Sequence, residues 1–136
     1  MAEIRMFVYG TLMHKSHCRG WAEEAEVAPP QDAAAKGTLL DYGPFPYANF
    51  DGPGIIHGQI LTMDADTVLF YHVCRVERGA GYVEREVVAT TDDGTEVTCI
   101  GWQIGERMSR FCLPSIPSGD WNAHEAAKWG TEAAFT

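Results

Sequence analysis

The apolar positions of the chain come in short blocks, and most blocks read as strands. Ile4 to Tyr9 is apolar and β-prone apart from Arg5, and Gly10 ends it. That pattern predicts a buried first strand running into a tight turn. His14 to Glu26 is polar with Trp21, Ala22 and Ala25 interspersed, which predicts a short, weak helix. Val27 to Ala35 holds Pro29-Pro30 and reads as a loop. Gly37 to Tyr42 reads as a second strand, and Ile55 to Met63 alternates well enough for a third. The segment between them, Gly43 to Gly54, reads as a long loop rich in proline, glycine and aromatic residues. Its Phe45, Tyr47 and Phe50 need something to cover.

Asp64 is placed to cap a helix over Ala65 to Glu77, where Leu69, His72, Val73 and Val76 share one face. Val68, Phe70 and Tyr71 favour a strand over the same stretch, so both readings stand. The clearest local signal is a hairpin. Tyr82 to Thr90 and Glu96 to Ile104 are β-rich, and Asp93-Gly94 between them is a turn dipeptide. Leu113 to Trp121 reads as irregular. Ala123 to Trp129 reads as a short helix with Asp120 or Asn122 near its cap. No β-α-β unit repeats, so the expectation is an α+β domain dominated by strands, one domain over residues 1–136.

Composition narrows the partners. With 46% hydrophobic and 21% charged residues in 136, the chain can bury an ordinary core. The 19 Asp+Glu against 10 Lys+Arg leave a net charge of −9 and no basic patch, which argues against nucleic acid. Apolar runs fall far short of the roughly 20 residues of a membrane span. The start, Met1-Ala2-Glu3-Ile4-Arg5, has no signal-peptide pattern, so the expected location is the cytoplasm. Cys18, Cys74, Cys99 and Cys112 form no Cys-x-x-Cys, and buried free thiols are the expectation. His14, His17 and Cys18 lie close together but lack a fourth ligand, so no metal is expected.

Three stretches carry candidate chemistry. The first strand runs into Tyr9-Gly10-Thr11-Leu12, where successive N–H groups can cradle an anion, although a strand ending in Gly-Thr is also a plain turn. Glu77 ends a mostly apolar element. If buried, its raised pKa makes it a usable base; if solvated, it pairs with Arg75 or Arg78. Tyr82 and Arg85 fall on opposite faces of a strand by parity and so serve different partners. In Ser118-Gly119-Asp120-Trp121, a structural corner is favoured over catalysis: Asp caps a helix and Trp covers the core edge. No Walker, dinucleotide or Gly-x-Ser-x-Gly motif occurs.

In this order, these segments resemble the γ-glutamyl cyclotransferase-like family. The resemblance rests on Tyr9-Gly10-Thr11-Leu12, Gly37-Thr38-Leu39, Phe45-Pro46-Tyr47 and Ile56-His57-Gly58-Gln59-Ile60. It continues through Cys74-Arg75-Val76-Glu77, Tyr82-Val83-Glu84-Arg85 and Ser118-Gly119-Asp120-Trp121. Cys74 stands where the family has Asp, and Arg78 where a Gly follows the catalytic Glu. The resemblance implies a small, mixed, partly closed β-barrel with a few short helices. It implies cleavage of a γ-glutamyl amide to 5-oxoproline and a free amine, with Glu77 as acid/base and no metal or cofactor. It places a small-molecule substrate against Tyr9, Gly10, Thr11, Leu12, Pro46 and Tyr82. Two alternatives remain: a non-catalytic module that sequesters a small ligand on the same fold, and a different amide-cleaving reaction in the same pocket.

Overall fold

A computed structural model describes residues 3–10, 28–43, 46–64, 75, 78–79, 81–106 and 111–133, the last six without their side chains. Its strands are β1 (Glu3–Val8), β2 (Gln31–Lys36), β3 (Thr38–Asp41), β4 (Pro46–Asn49), β5 (Ile55–Asp64), β6 (Tyr82–Thr91), β7 (Glu96–Ile104) and β8 (Ser115–Ile116). A helix, α1, spans Trp121–Ala133. Five strands close a barrel in the order β1-β5-β2-β6-β7, and parallel pairing of β1 with β7 completes the ring. The remaining strands form a small antiparallel sheet, β4-β3-β8. The expected α+β class and barrel are both present, and the barrel is fully closed.

Closure explains the apolar blocks. In β1, Met6, Phe7 and Val8 are all buried, so both faces are covered and the sequence does not alternate. Phe7 packs against Phe50 and Tyr9, with ring centroids 6.3 and 6.4 Å away. Ile56, Ile60, Leu61 and Met63 from β5 join this core, with Val87 and Ala89 from β6 and Cys99 from β7.

Three strands lie where loop or irregular chain is expected, the shortest being the two-residue β8 within the 113–121 stretch. Gln31–Lys36 has no β-branched residue, yet it forms β2, hydrogen-bonded to β5 on one side and β6 on the other. Ala33 and Ala35 are buried there, and pairing on both edges outweighs weak local propensity. Pro46–Asn49 forms β4, an edge strand that tolerates proline as its first residue. The path from barrel to small sheet turns at Gly37, between β2 and β3. A Cβ there would lie 2.8 Å from Ile56 Cδ1 and 2.9 Å from the Asn49 carbonyl oxygen, so only glycine lets the chain leave the barrel so tightly.

The hairpin forms as expected, with Tyr82 opposite Ile104 and Thr90 opposite Glu96. Its turn is longer than a two-residue one. The Thr91 amide donates to Thr95 across Asp92-Asp93-Gly94, and the Gly94 amide donates back to the Thr91 carbonyl, each at 2.9 Å. Asp93 accepts from the Thr95 amide at 3.1 Å and from the Thr91 hydroxyl, and these bonds hold its carboxyl below the usual range. Arg75, Arg78 and Gly79 are helical; the rest of the expected 65–77 element, Glu77 included, lies outside the described residues. So does the expected helix over 14–26. Asp64, expected as a helix cap, closes β5 opposite Glu3.

Ser118-Gly119-Asp120-Trp121 is a structural corner. Asp120 Oδ1 accepts from the Ala123 amide at 3.0 Å, capping α1. Trp121 is buried, and the Gly119 carbonyl accepts from the His57 amide at 2.7 Å. Gly119 has φ +65°, and a Cβ on it would sit 1.8 Å from the Ile55 carbonyl oxygen. The helix begins two residues before its expected start because the cap, not the first alanine, sets it.

Candidate functional site

Four of the residues singled out from the sequence meet at one place. Tyr9 and Gly10 follow the end of β1 and are buried. Pro46, the fully buried first residue of β4, covers Gly10: a Cβ on Gly10 would lie 2.9 Å from Pro46 Cγ and 3.0 Å from Cδ. The carbonyl of Pro46 accepts a hydrogen bond from the Tyr82 hydroxyl on β6. The Tyr9 hydroxyl donates to the carbonyl of Trp102 on β7. The two hydroxyls thus tie Tyr9 to β7 and Tyr82 to β4, each through a backbone carbonyl. Thr11, Leu12 and Glu77 lie outside the described residues.

Aromatic rings build the walls. Tyr47 lies 4.6 Å from Tyr82, centroid to centroid, and 5.5 Å from Tyr42, edge-on. Phe50 meets Tyr9 edge-on at 6.1 Å. Tyr47 and Phe50 therefore find the cover that the sequence requires; Phe45 is outside the described residues. Each tyrosine has one O–H to donate. Tyr9 and Tyr82 direct theirs to main-chain oxygens, so both hydroxyls are engaged in holding the strands in register. The Trp102 indole N–H is directed to Met6 Sδ at 3.3 Å, fixing β7 against β1.

Charge sits at the edge of this region. The Arg78 guanidinium carbon is 5.7 Å from the Trp102 ring centroid, and Arg78 bonds Glu84 at 3.1 Å. Glu84 stands opposite Trp102 in the β6–β7 ladder, so one strand pair presents both partners of Arg78. Arg85 serves other groups, as parity requires: it bonds Asp51 at 2.6 Å and Gln103 at 3.0 Å. The Arg85 hydrogen bond holds the Asp51 carboxyl below its usual range. Cys99 is buried, and burial pushes its thiol up to about 11. Cys112 departs from the expectation of buried thiols. It is exposed, in a stretch whose neighbour Phe111 is also exposed.

A groove of about 530 Å³ runs along β2, β5 and β6, lined by Asp32, His57, Gln59, Asp92 and Asp120 among others. It contains none of the four converging residues, and its three carboxylates make it a poor seat for an anion. Among the described residues no group of three or more His, Cys, Asp or Glu is placed to hold a metal ion. His14, His17 and Cys18 lie outside them. No described helix is long and apolar enough to cross a membrane. One contact that sequence reasoning missed is His124 Nε2 on α1, 2.7 Å from Asp41 Oδ2 on β3. The two are 83 positions apart, and neither sits in a motif that pairs them.

A family model described as "Gamma-glutamyl cyclotransferase, AIG2-like" matches residues 6–123. No curated protein matches the sequence. Solved structures share the fold. YkqA from Bacillus subtilis superposes with a TM-score of 0.74 at 22% identity, covering 95% of this chain and 43% of YkqA. This chain thus spans less than half of that relative. PH0828 from Pyrococcus horikoshii has a TM-score of 0.67 at 24% identity, over 92% of this chain and 95% of its own. An AIG2-like protein from Mus musculus has a TM-score of 0.67 at 16% identity, over 86% and 88%.

Proposed function

The chain belongs to the γ-glutamyl cyclotransferase, AIG2-like family, and from that premise we propose that it cleaves a γ-glutamyl amide to 5-oxoproline and a free amine. The observation that carries this reading is the convergence of Tyr9, Gly10, Pro46 and Tyr82. In this reading the main chain at Gly10 and Thr11 holds the glutamyl carboxylate, which suits a protein of net charge −9 because N–H groups need no lysine or arginine. Leu12 and the rings of Tyr9 and Tyr82 bound the glutamyl chain, with Pro46 as its lid.

The chemistry is intramolecular. The substrate's α-amine attacks its own γ-carbonyl, a C–N bond closes the five-membered ring, and the amide C–N bond breaks. Tethering the nucleophile is worth about 7–11 kcal/mol when the geometry is good. The α-amine is protonated at neutral pH, so a base must take its proton; Glu77 is assigned that task. The same carboxyl then returns the proton to the leaving amine, so one residue serves as base and acid. No metal or cofactor enters the balance.

The test is release of 5-oxoproline from a panel of γ-glutamyl amines, followed by chromatography. Turnover of at least one amide, lost on Glu77→Gln, is the expected result. Absence of turnover across the panel, with 5-oxoproline still bound, would establish a sequestering module instead.

A further inference from the structure

We propose that Asp41 and His124 form a positioning pair that sets the Pro46 wall against Gly10. For its ligand-binding consequence the proposal rests on the reading above. Its structural consequence does not.

The two oxygens of Asp41 face different segments. Oδ1 accepts from the Gly43 amide at 2.7 Å, which starts the connection from β3 to β4. Oδ2 lies 2.7 Å from His124 Nε2. The side chains are 16% and 29% exposed, so water competes little for this bond. Asp41 also stands opposite Pro46 in the β3–β4 register, and its amide donates to the Pro114 carbonyl at 2.9 Å. The carboxylate therefore sits where three segments meet: the strand before the connection, the connection itself and α1.

His124 is itself fixed. It lies in the first turn of α1, its amide donating to the Asp120 carbonyl at 3.0 Å. Its ring lies 5.7 Å from the ring of buried Trp121. The capped helix start thus anchors the imidazole, the imidazole orients the carboxylate, and the carboxylate holds the Gly43 amide while Asp41 itself faces Pro46 across the β3–β4 ladder. From there the relation passes to Gly10 by contact and to Tyr82 by the Pro46 carbonyl. A short polar bond of this kind is directional, which packing of an apolar pair is not, and it suits the placing of a wall to within fractions of an ångström.

Three variants test this. His124→Phe keeps a ring on Trp121 and removes the nitrogen. His124→Gln supplies a nitrogen donor without the ring. Asp41→Ala breaks the relation from the other end. The readouts are amide NMR spectra and titration with 5-oxoproline. His124→Phe and Asp41→Ala should shift the Gly43, Tyr47 and Gly10 amide resonances and weaken 5-oxoproline binding by about tenfold. His124→Gln should bring the resonances and the affinity back towards wild type. An unmoved Gly10 resonance in both folded variants, or no recovery in His124→Gln, overturns the proposal. If wild-type protein binds no 5-oxoproline, the spectra alone decide the positioning role, and the functional reading stands or falls on turnover of the γ-glutamyl amine panel.

Discussion

The hydroxyl of Tyr82 donates to the main-chain carbonyl of Pro46, 36 residues earlier, and this bond joins the closed barrel to the small sheet beside it. The ring of the same tyrosine packs on Tyr47 at 4.6 Å. One side chain thus bonds the main chain of Pro46 and packs on the ring of the next residue.

Removing that bond should cost more than its own strength. Tyr82→Phe keeps the stacking but leaves the buried Pro46 carbonyl without the Tyr82 donor, and such a loss costs about 1–3 kcal/mol. Urea denaturation should show a lower midpoint with an unchanged slope. An unchanged midpoint would mean that another donor reaches Pro46.

Gly10 tolerates no side chain while Pro46 stays in place. Gly10→Val should weaken binding of 5-oxoproline and destabilise the fold by about 1–3 kcal/mol through overpacking. Neutralising Arg5 should leave binding nearly unaffected, because the carboxylate is assigned to main-chain N–H groups. Calorimetric titration of the two variants compares them directly, and the opposite ranking would remove the main-chain assignment.

Glu77→Gln should reduce kcat by roughly 10²- to 10⁴-fold, the usual worth of general acid/base catalysis. The upper end is expected because one group serves both proton transfers. Circular dichroism and 5-oxoproline affinity should stay near wild type. Near-normal turnover in the folded variant would exclude Glu77 as the acid/base.

The two described cysteines should react very differently. At pH 8, iodoacetamide should label exposed Cys112 quickly and Cys99 slowly, because the Cys99 thiol is buried and raised to about 11. Peptide mapping by mass spectrometry reads the two rates separately. In the unfolded chain this thiol ionises near its ordinary value of 9.0. The contribution of Cys99 to stability is therefore full below pH 9 and declines as the pH rises through about 11. Cys99→Ala should flatten that part of the stability profile.

Asp120→Ala should destabilise the protein by about 1 kcal/mol through loss of the α1 cap. Asp120→Asn should recover most of it, since the amide oxygen can still accept from Ala123. A variant without activity but with wild-type stability would contradict the structural role of this residue.

The local signals in the sequence were strong where one segment settles its own conformation. The Tyr82 to Ile104 hairpin, the Asp120 cap and the buried first strand each depend on residues a few positions apart. Side-chain parity likewise separated Tyr82 from Arg85. The order of the short motifs suffices for the family, while the closeness of Tyr9, Gly10, Pro46 and Tyr82 is visible only in the fold. Other features arise only when distant segments meet. Gln31–Lys36 is a strand because β5 and β6 offer hydrogen bonds on both edges, which no alanine-rich hexapeptide reveals alone. Pro46–Asn49 is a strand because β3 returns beside it. The Asp41–His124 bond exists because α1 packs near the end of β3, across 83 positions. Local propensities are read over a few residues, whereas barrel closure and the bond between Asp41 and His124 depend on pairings whose energy appears only once the chain has folded.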